Sequence, residues 1–178
     1  FGLTDSAEFG AMNPNRTVPV LQDGSLPPLW ETGAILRYLA TAYAPESFWP
    51  QDLWARTEVD RWAEWAKINI AQGFTAPIFW RVVRTAPADQ DPQAIRRAVA
   101  ALEAKLAIAD ARLGAHPFLV ADRFTLADVQ FGHILYRYYD IDIARGDLPH
   151  LRSYYDRLTT RPSFRKHVML SYGGLRVQ

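Results

Sequence analysis

Two short motifs in the first third of the chain carry the residue types best suited to holding a small ligand. Glu31-Thr32 precedes an amphipathic segment and therefore stands at the start of a predicted helix, whose first N–H groups and partial positive charge suit a carboxylate. The same pair is also ordinary chemistry for a helix start. Val18-Pro19 lies in a predicted strand, where a trans proline on a sheet edge is the plain interpretation. Taken alone, both motifs leave a structural role open.

Other reactive residue types form no recognisable site. The chain has no cysteine, which excludes disulfides, CxxC redox chemistry and thiolate metal ligands within it. Ser153, Ser163 and Ser171 have no nucleophile-elbow context, so a hydrolase triad is unsupported. The four histidines are scattered without metal-ligand spacing on one helix: His116, His133, His150 and His167. We therefore predict no metal site.

The elements that must position the two motifs are a hairpin and a helix. Residues 17–21 are β-branched and apolar, Asp23-Gly24 is a turn signal, and residues 26–30 return as an edge strand. Residues 31–39 have the apolar spacing of an amphipathic helix. A two-stranded hairpin with one helix is marginal alone, so we expect further strands ahead of Phe1 or from another chain.

The rest of the chain has a helical pattern after a proline-containing linker at residues 44–50. One helix starts near Trp54 and is expected to end or kink at Pro77. The further predicted helices cover residues 95–113, a helix from Thr125, residues 151–158, and a short helix opened by Pro162.

A capping box is predicted at the start of the third of these helices. Thr125 and Asp128 have the S/T-x-x-D spacing, and Phe124 and Val129 occupy the positions of a hydrophobic staple. We assign the pair to folding, and replacing either residue by alanine should cost about 0.5–2 kcal/mol.

Composition excludes several functional classes. Of the 178 residues, 49% are hydrophobic and the net charge is +1, which argues against disorder and against nucleic acid as a partner. No apolar stretch approaches the roughly 20 residues of a membrane helix. No signal peptide is visible, so we predict no membrane association and a cytoplasmic location.

Three separated segments together resemble the cytosolic glutathione S-transferase family, in the style of its bacterial members. They are residues 13–39, residues 118–128 and residues 148–164, in the family's order. The resemblance implies a thioredoxin-like α/β N-terminal domain, here incomplete, followed by an all-α helical bundle. The implied boundaries are residues 1–43 for the glutathione-binding domain, 44–50 for the linker and 51–178 for the helical domain.

The same resemblance implies a missing N-terminal segment. We do not find the family's opening strand, helix and strand, roughly 35 to 45 residues by ordinary element and loop lengths. That segment carries the family's Ser, Tyr or Cys that acts on the glutathione thiol. We therefore expect a truncated sequence and name no catalytic residue.

Glutathione is the co-substrate that the resemblance implies, with Val18, Pro19, Glu31 and Thr32 as its binding residues. In the family the X-Pro bond is cis, and the N–H and C=O of Val18 would pair with the cysteinyl unit. Thr32 would take the γ-glutamyl carboxylate, and Glu31 would orient that end of the ligand. For the glycine carboxylate, Asn15 and Arg16 are candidates. Asp5, near where some classes place a basic pair, has the wrong charge.

The implied activity is transfer of the glutathione thiolate to a small apolar electrophile by a homodimer. Aromatic residues at helical spacing could line the electrophile pocket, although most should belong to the core: Trp65, Phe79, Trp80, Tyr136 and Tyr139. Two alternatives stay open. One is a non-catalytic binding or regulatory module of the same fold; the other is a different glutathione-dependent reaction such as disulfide reduction, isomerisation or dehalogenation.

Overall fold

A computed structural model describes residues 2–120 and 122–177. The chain divides into two compact units, one up to Trp49 and the other from Pro50 onward. The first unit contains the hairpin and its helix, and the second is helical.

The first unit is built around a short antiparallel hairpin and the helix that follows it. Within the described residues its sheet has two strands, in which Val20 pairs with Trp30 and Leu21 with Leu29. Gly24 has a φ of 55° in the connecting turn, a conformation that glycine adopts without steric penalty. The elements are a 3₁₀ turn at Leu3–Asp5, α1 at Ala7–Met12, β1 at Val20–Leu21, β2 at Leu29–Trp30 and α2 at Thr32–Tyr43.

The prediction for this unit was right in order and wrong in extent. Both strands are shorter than predicted because the prolines at 19, 27 and 28 cannot donate to the ladder. Helix α1 was not predicted. Ser6 caps this helix by accepting a hydrogen bond from the Phe9 N–H at 3.1 Å. The helix has only six residues, so the capping serine alone is a weak sequence signal for it.

The second unit opens with a helical run that two π segments interrupt. Pro77 was expected to end or kink this helix, but helical backbone continues past it to Val83. Pro77 lies in a π-helical turn, where the regular i→i−4 ladder is already interrupted and a missing N–H is more easily tolerated. The run comprises α3 at Leu53–Trp65, a π segment at Ala66–Ala71, α4 at Gln72–Phe74, a π segment at Thr75–Trp80 and α5 at Arg81–Val83.

The remaining helices follow the predicted order and extend a few residues beyond the predicted bounds. They are α6 at Pro92–Ala115, α7 at Leu126–Asp140, α8 at Pro149–Thr159 and α9 at Pro162–His167, with 3₁₀ turns at Pro87–Asp89 and Gly173–Leu175.

Helix α7 runs through the core of this unit. Phe131, Leu135 and Tyr138 on α7 are almost fully buried. At Gly132 a Cβ atom would lie 2.6 Å from the Leu158 side chain, so glycine is required for α7 and α8 to approach this closely. Among the described residues, no helix is both long enough and apolar enough to cross a bilayer.

Candidate functional site

The chain approaches the hairpin through a loop that the buried Asn13 side chain holds. Asn13 Nδ2 donates to the Thr17 carbonyl at 2.7 Å, and Asn13 Oδ1 accepts from the Asn15 N–H at 3.0 Å. The loop leads to Val18, a residue that is 73% exposed, and the Val18–Pro19 bond is cis. The backbone next to β1 is therefore fixed from one side and open on the other.

The start of α2 is also open. Glu31 occupies the N-cap position, and within the described residues its side chain does not cap the helix. Glu31 and Thr32 are both exposed. The first N–H groups of a helix have no intrahelical acceptor, so this end offers donors and a partial positive charge.

Glu31 adopts a backbone conformation that non-glycine residues rarely occupy. Its φ is 71° and its ψ is 115°. Such a conformation costs about 1–3 kcal/mol and is concentrated at ligand-binding and active sites. Glycine would occupy this position without strain.

The hairpin register brings these two features together. Val20 pairs with Trp30, so Pro19 and Glu31 both leave the ladder at the same end. An extended ligand beside Val18 would therefore reach the N-terminus of α2 with its own end group.

Two tyrosines that sequence reasoning missed attach the other end of α2 to the hairpin turn. The Tyr38 and Tyr43 hydroxyls donate to Asp23 Oδ2 at 2.7 and 2.6 Å. The bonds from Tyr43 and Tyr38 lower the pKa of Asp23, and the bond to Asp23 raises the pKa of Tyr38 to about 12. The sequence marked Asp23 as a turn residue, but gave no signal that two hydroxyls converge on it.

Comparison with known proteins identifies this arrangement. Residues 2–42 match the family model described as Glutathione S-transferase, N-terminal domain, and residues 69–162 match Glutathione S-transferase, C-terminal domain. The chain is 33% identical over 171 residues to glutathione S-transferase GstB of Escherichia coli K12, covering 96% of this chain and 82% of that protein. The chain belongs to the glutathione S-transferase family.

Solved structures agree with this assignment. A theta class glutathione S-transferase from Xanthomonas axonopodis pv. citri, with glutathione bound, matches with a TM-score of 0.90 and 42% identity. The match covers 96% of this chain and 81% of that one. The predicted fold class is confirmed: a thioredoxin-like N-terminal domain, represented by the hairpin and α2, precedes a helical C-terminal domain. A second relative, the disulfide-bond oxidoreductase YghU of E. coli K12, is 30% identical to this chain. The matched region covers 90% of this chain and 58% of YghU.

Arg16, one candidate for the glycine carboxylate of glutathione, makes hydrogen bonds within the first unit. Its Nη1 donates to the carbonyls of Asp5 at 2.6 Å and Ser6 at 3.0 Å. It thereby holds the segment ahead of α1. Asn15 Nδ2 donates to the Asn13 side chain at 3.2 Å and is also engaged locally. A contact of either residue with the glycine carboxylate stays a prediction.

The aromatic candidates for an electrophile pocket divide as the sequence suggested. Phe79 is 1% exposed, and Trp65, Tyr136 and Tyr139 are partly buried against other aromatic rings. Trp80 differs, because 46% of its surface is exposed. A role in binding an electrophile stays a prediction for Trp80.

The predicted capping box is present and buried. Thr125 N–H donates to Asp128 Oδ2 at 2.8 Å, and Leu119 N–H donates to Asp128 Oδ1 at 3.1 Å. The Tyr154 hydroxyl, which the sequence did not connect to this pair, donates to Oδ1 at 2.9 Å. Burial raises the pKa of Asp128, against these hydrogen bonds, which favour the carboxylate. This cluster supports the fold of the second unit.

Metal binding finds no support in the described part of the chain. Within residues 2–120 and 122–177, no group of three or more His, Asp or Glu side chains is placed to hold a metal ion.

Proposed function

We propose that the protein is a glutathione S-transferase that holds glutathione between the Val18 backbone and the N-terminus of α2. The observation that carries the proposal is the open start of α2, with Glu31 in a strained conformation beside the exposed Val18. Family membership supplies the reaction: the glutathione thiolate attacks an electrophilic carbon, the leaving group departs, and the thiol proton goes to solvent.

Each residue has a distinct task in this proposal. The N–H and C=O of Val18 pair with the cysteinyl unit as a short antiparallel strand, which fixes the position of the thiol. The N–H and hydroxyl of Thr32 bind the γ-glutamyl carboxylate at the helix start. Glu31 faces the ammonium group of the same end. These contacts orient the thiol for reaction, and we assign no residue to lowering its pKa.

Calorimetric titration with glutathione tests the site. Glu31→Ala should weaken binding about tenfold or more, because a charge-assisted contact is lost. Glu46→Ala is the matched control, since Glu46 is an exposed acid of the same unit outside the site. Equal glutathione affinity of the wild type and Glu31→Ala would overturn the site assignment.

Transferase activity is tested separately with an aryl chloride activated by nitro groups. Release of chloride with formation of the thioether is the expected result. Glutathione binding without turnover of this or other electrophiles would favour the non-catalytic binding module.

A second glutathione-dependent reaction is favoured by one observation. The relative YghU is named a disulfide-bond oxidoreductase. In that reaction two glutathione molecules are oxidised to their disulfide while a substrate disulfide is reduced to two thiols. Turnover of a small dialkyl disulfide, with no turnover of the aryl chloride, would select this function.

Assembly and location are part of the proposal. We expect a two-fold homodimer, as is common in the family, and a cytoplasmic protein. Light scattering at micromolar concentration is the test of assembly, and a monomer alone would contradict the dimer.

A further inference from the structure

A well-defined cavity lies wholly within the second unit. It has a volume of about 440 Å³ and lies between the first half of α6 and the segment that follows α7. Ligand sites typically have volumes of about 300–1,000 Å³. We call it the α6 cavity. Its apolar wall is formed by Val82, Ile95, Val99 and Ile143.

One wall of the α6 cavity is held by Arg145. Its Nε donates to the Tyr138 carbonyl at 2.7 Å, its Nη1 donates to the Ile143 carbonyl at 3.0 Å, and its Nη2 donates to the Ile141 carbonyl. Three donors of this side chain are therefore used to fix the segment after α7.

The opposite side is fixed by Gln90. Its Nε2 donates to the Val82 carbonyl at 3.1 Å and to the Thr85 carbonyl at 3.2 Å. Because backbone on both sides is tied by side chains, the cavity is formed without a ligand.

Glu103 supplies an unused acceptor in this cavity. Its Oε1 accepts from the Tyr138 hydroxyl at 2.7 Å and from the Gly146 N–H at 2.8 Å. Its Oε2 accepts no hydrogen bond from residues 2–120 or 122–177. Burial, together with the bond to Glu103, raises the pKa of Tyr138, so this hydroxyl stays a neutral donor.

Among the described residues, no basic side chain forms an ion pair with Glu103. Arg145 directs its donors to carbonyl groups. Arg96 and Asp142 are exposed, where solvent and salt screen their charges. A partly buried carboxylate oxygen beside an apolar wall selects a ligand with a cationic donor and an apolar body.

We propose that the α6 cavity is a second binding site, for a small organic ammonium ion whose amine contacts Glu103 Oε2 and whose apolar part packs on Val99 and Ile143. The site lies wholly within the second unit, so its occupancy is independent of the glutathione proposal.

Ligand-observed NMR titration with three probes of similar size and shape tests the charge requirement. The probes are 2-phenylethylammonium, the neutral 2-phenylethanol and the anion phenylacetate. We expect the ammonium ion to bind with a dissociation constant of about 1 mM, and the other two to bind at least about tenfold more weakly. Equal binding of the three probes, or no binding of the ammonium ion at about 10 mM, would overturn the proposal.

Two variants then test the location. Glu103→Gln keeps an oxygen for Tyr138 and Gly146 but removes the charge, and should weaken the ammonium probe about tenfold. Ala100→Trp places a large side chain in the cavity from an exposed helix position. It should abolish binding of the probe and leave glutathione affinity unchanged.

Ala101→Trp is the matched control, because Ala101 is an exposed alanine of the same helix that does not line the cavity. Its affinity for the ammonium probe should equal that of the wild type. Retained binding in folded Ala100→Trp would overturn the location, whatever the result for Glu103→Gln.

Discussion

The two helix starts at α2 and α7 use similar residue types for opposite purposes. At α7, Asp128 accepts hydrogen bonds from backbone and hydroxyl donors and is 1% exposed. At α2, Glu31 occupies the N-cap without capping the helix, and Thr32 is exposed. At α7 the acidic side chain accepts hydrogen bonds within the protein, whereas at α2 no side chain caps the helix, and we propose that glutathione binds there.

The difference separates the structural cap of α7 from the binding site that we propose at α2. An acidic residue near a helix start is compatible with both roles. Position relative to the helix decides between them: Asp128 is at N3 and reaches back to the N-cap, whereas Glu31 is the N-cap itself and has a φ of 71°. The comparison predicts that variants at α7 change stability and variants at α2 change binding.

Asp128→Ala should have the largest effect on stability. It leaves the N–H groups of Leu119 and Thr125 buried without their acceptor, which costs about 1–3 kcal/mol for each group. We expect the free energy of unfolding to fall by about 3 kcal/mol or more, above the range for an exposed cap. Urea denaturation measures it. A loss below about 1 kcal/mol would show that water replaces the carboxylate.

Tyr154→Phe should have an intermediate effect. It removes the hydroxyl that donates to Asp128 Oδ1 at 2.9 Å while keeping the buried ring. We expect a loss of about 1–2 kcal/mol, because a hydrogen bond to a charged group disappears. Glutathione affinity, measured on the same preparation, should not change. Weaker glutathione binding in this folded variant would contradict the assignment of stability to the α7 start and of binding to the α2 start.

Glu31→Gly should stabilise the protein and weaken glutathione binding, whereas the α7 variants should destabilise the protein and leave glutathione binding unchanged. Glycine removes the strain at φ 71°, so the free energy of unfolding should rise by about 1 kcal/mol. Glutathione affinity should fall as in Glu31→Ala, because the carboxylate is absent. Comparison of Glu31→Gly with Glu31→Ala distinguishes the effect of removing backbone strain from the effect of losing the side chain. A stability gain in Glu31→Ala equal to that in Glu31→Gly would count against backbone strain.

The sequence predicted the α7 helix start more completely than the α2 site. Thr125 and Asp128 interact over three residues, and such local contacts follow from spacing alone. The part played by Tyr154 depends on how α8 packs against α7, which no local pattern encodes. At α2, the spacing indicated a helix, but the φ of Glu31 depends on how β2 joins it.

The fold shows the same limit of local patterns. Hydrophobic periodicity located α6, which buries one face against the core, and the capping box located the start of α7. Pro77 does not end the helix in which it lies, because the π-helical turn allows helical backbone to continue, and a kink there stays a prediction. Hydrophobic periodicity missed the six-residue α1, which buries none of its residues and so has little apolar pattern.

We expect the smallest effect on stability from the hydrogen bonds that attach α2 to the hairpin turn. Asp23 accepts from Tyr38 and Tyr43 on the second half of the helix, so it positions the open helix start from the opposite end. These side chains are solvent-accessible enough for the effect of their hydrogen bonds on stability to be modest.

The sign of the pH dependence follows from the two pKa directions. The pKa of Asp23 lies below 3.8 in the folded protein, so its contribution to stability is present above that value and is lost as the pH falls through the lowered pKa. The pKa of Tyr38 rises from 10.0 to about 12, so its contribution is lost as the pH rises across that interval. In Asp23→Asn, ultraviolet titration should show that the pKa of Tyr38 moves back toward 10.0. The Tyr38→Phe variant identifies the part of the absorbance change that belongs to Tyr38. An unchanged tyrosine titration would mean that the hydroxyls do not depend on Asp23, and that another contact positions α2.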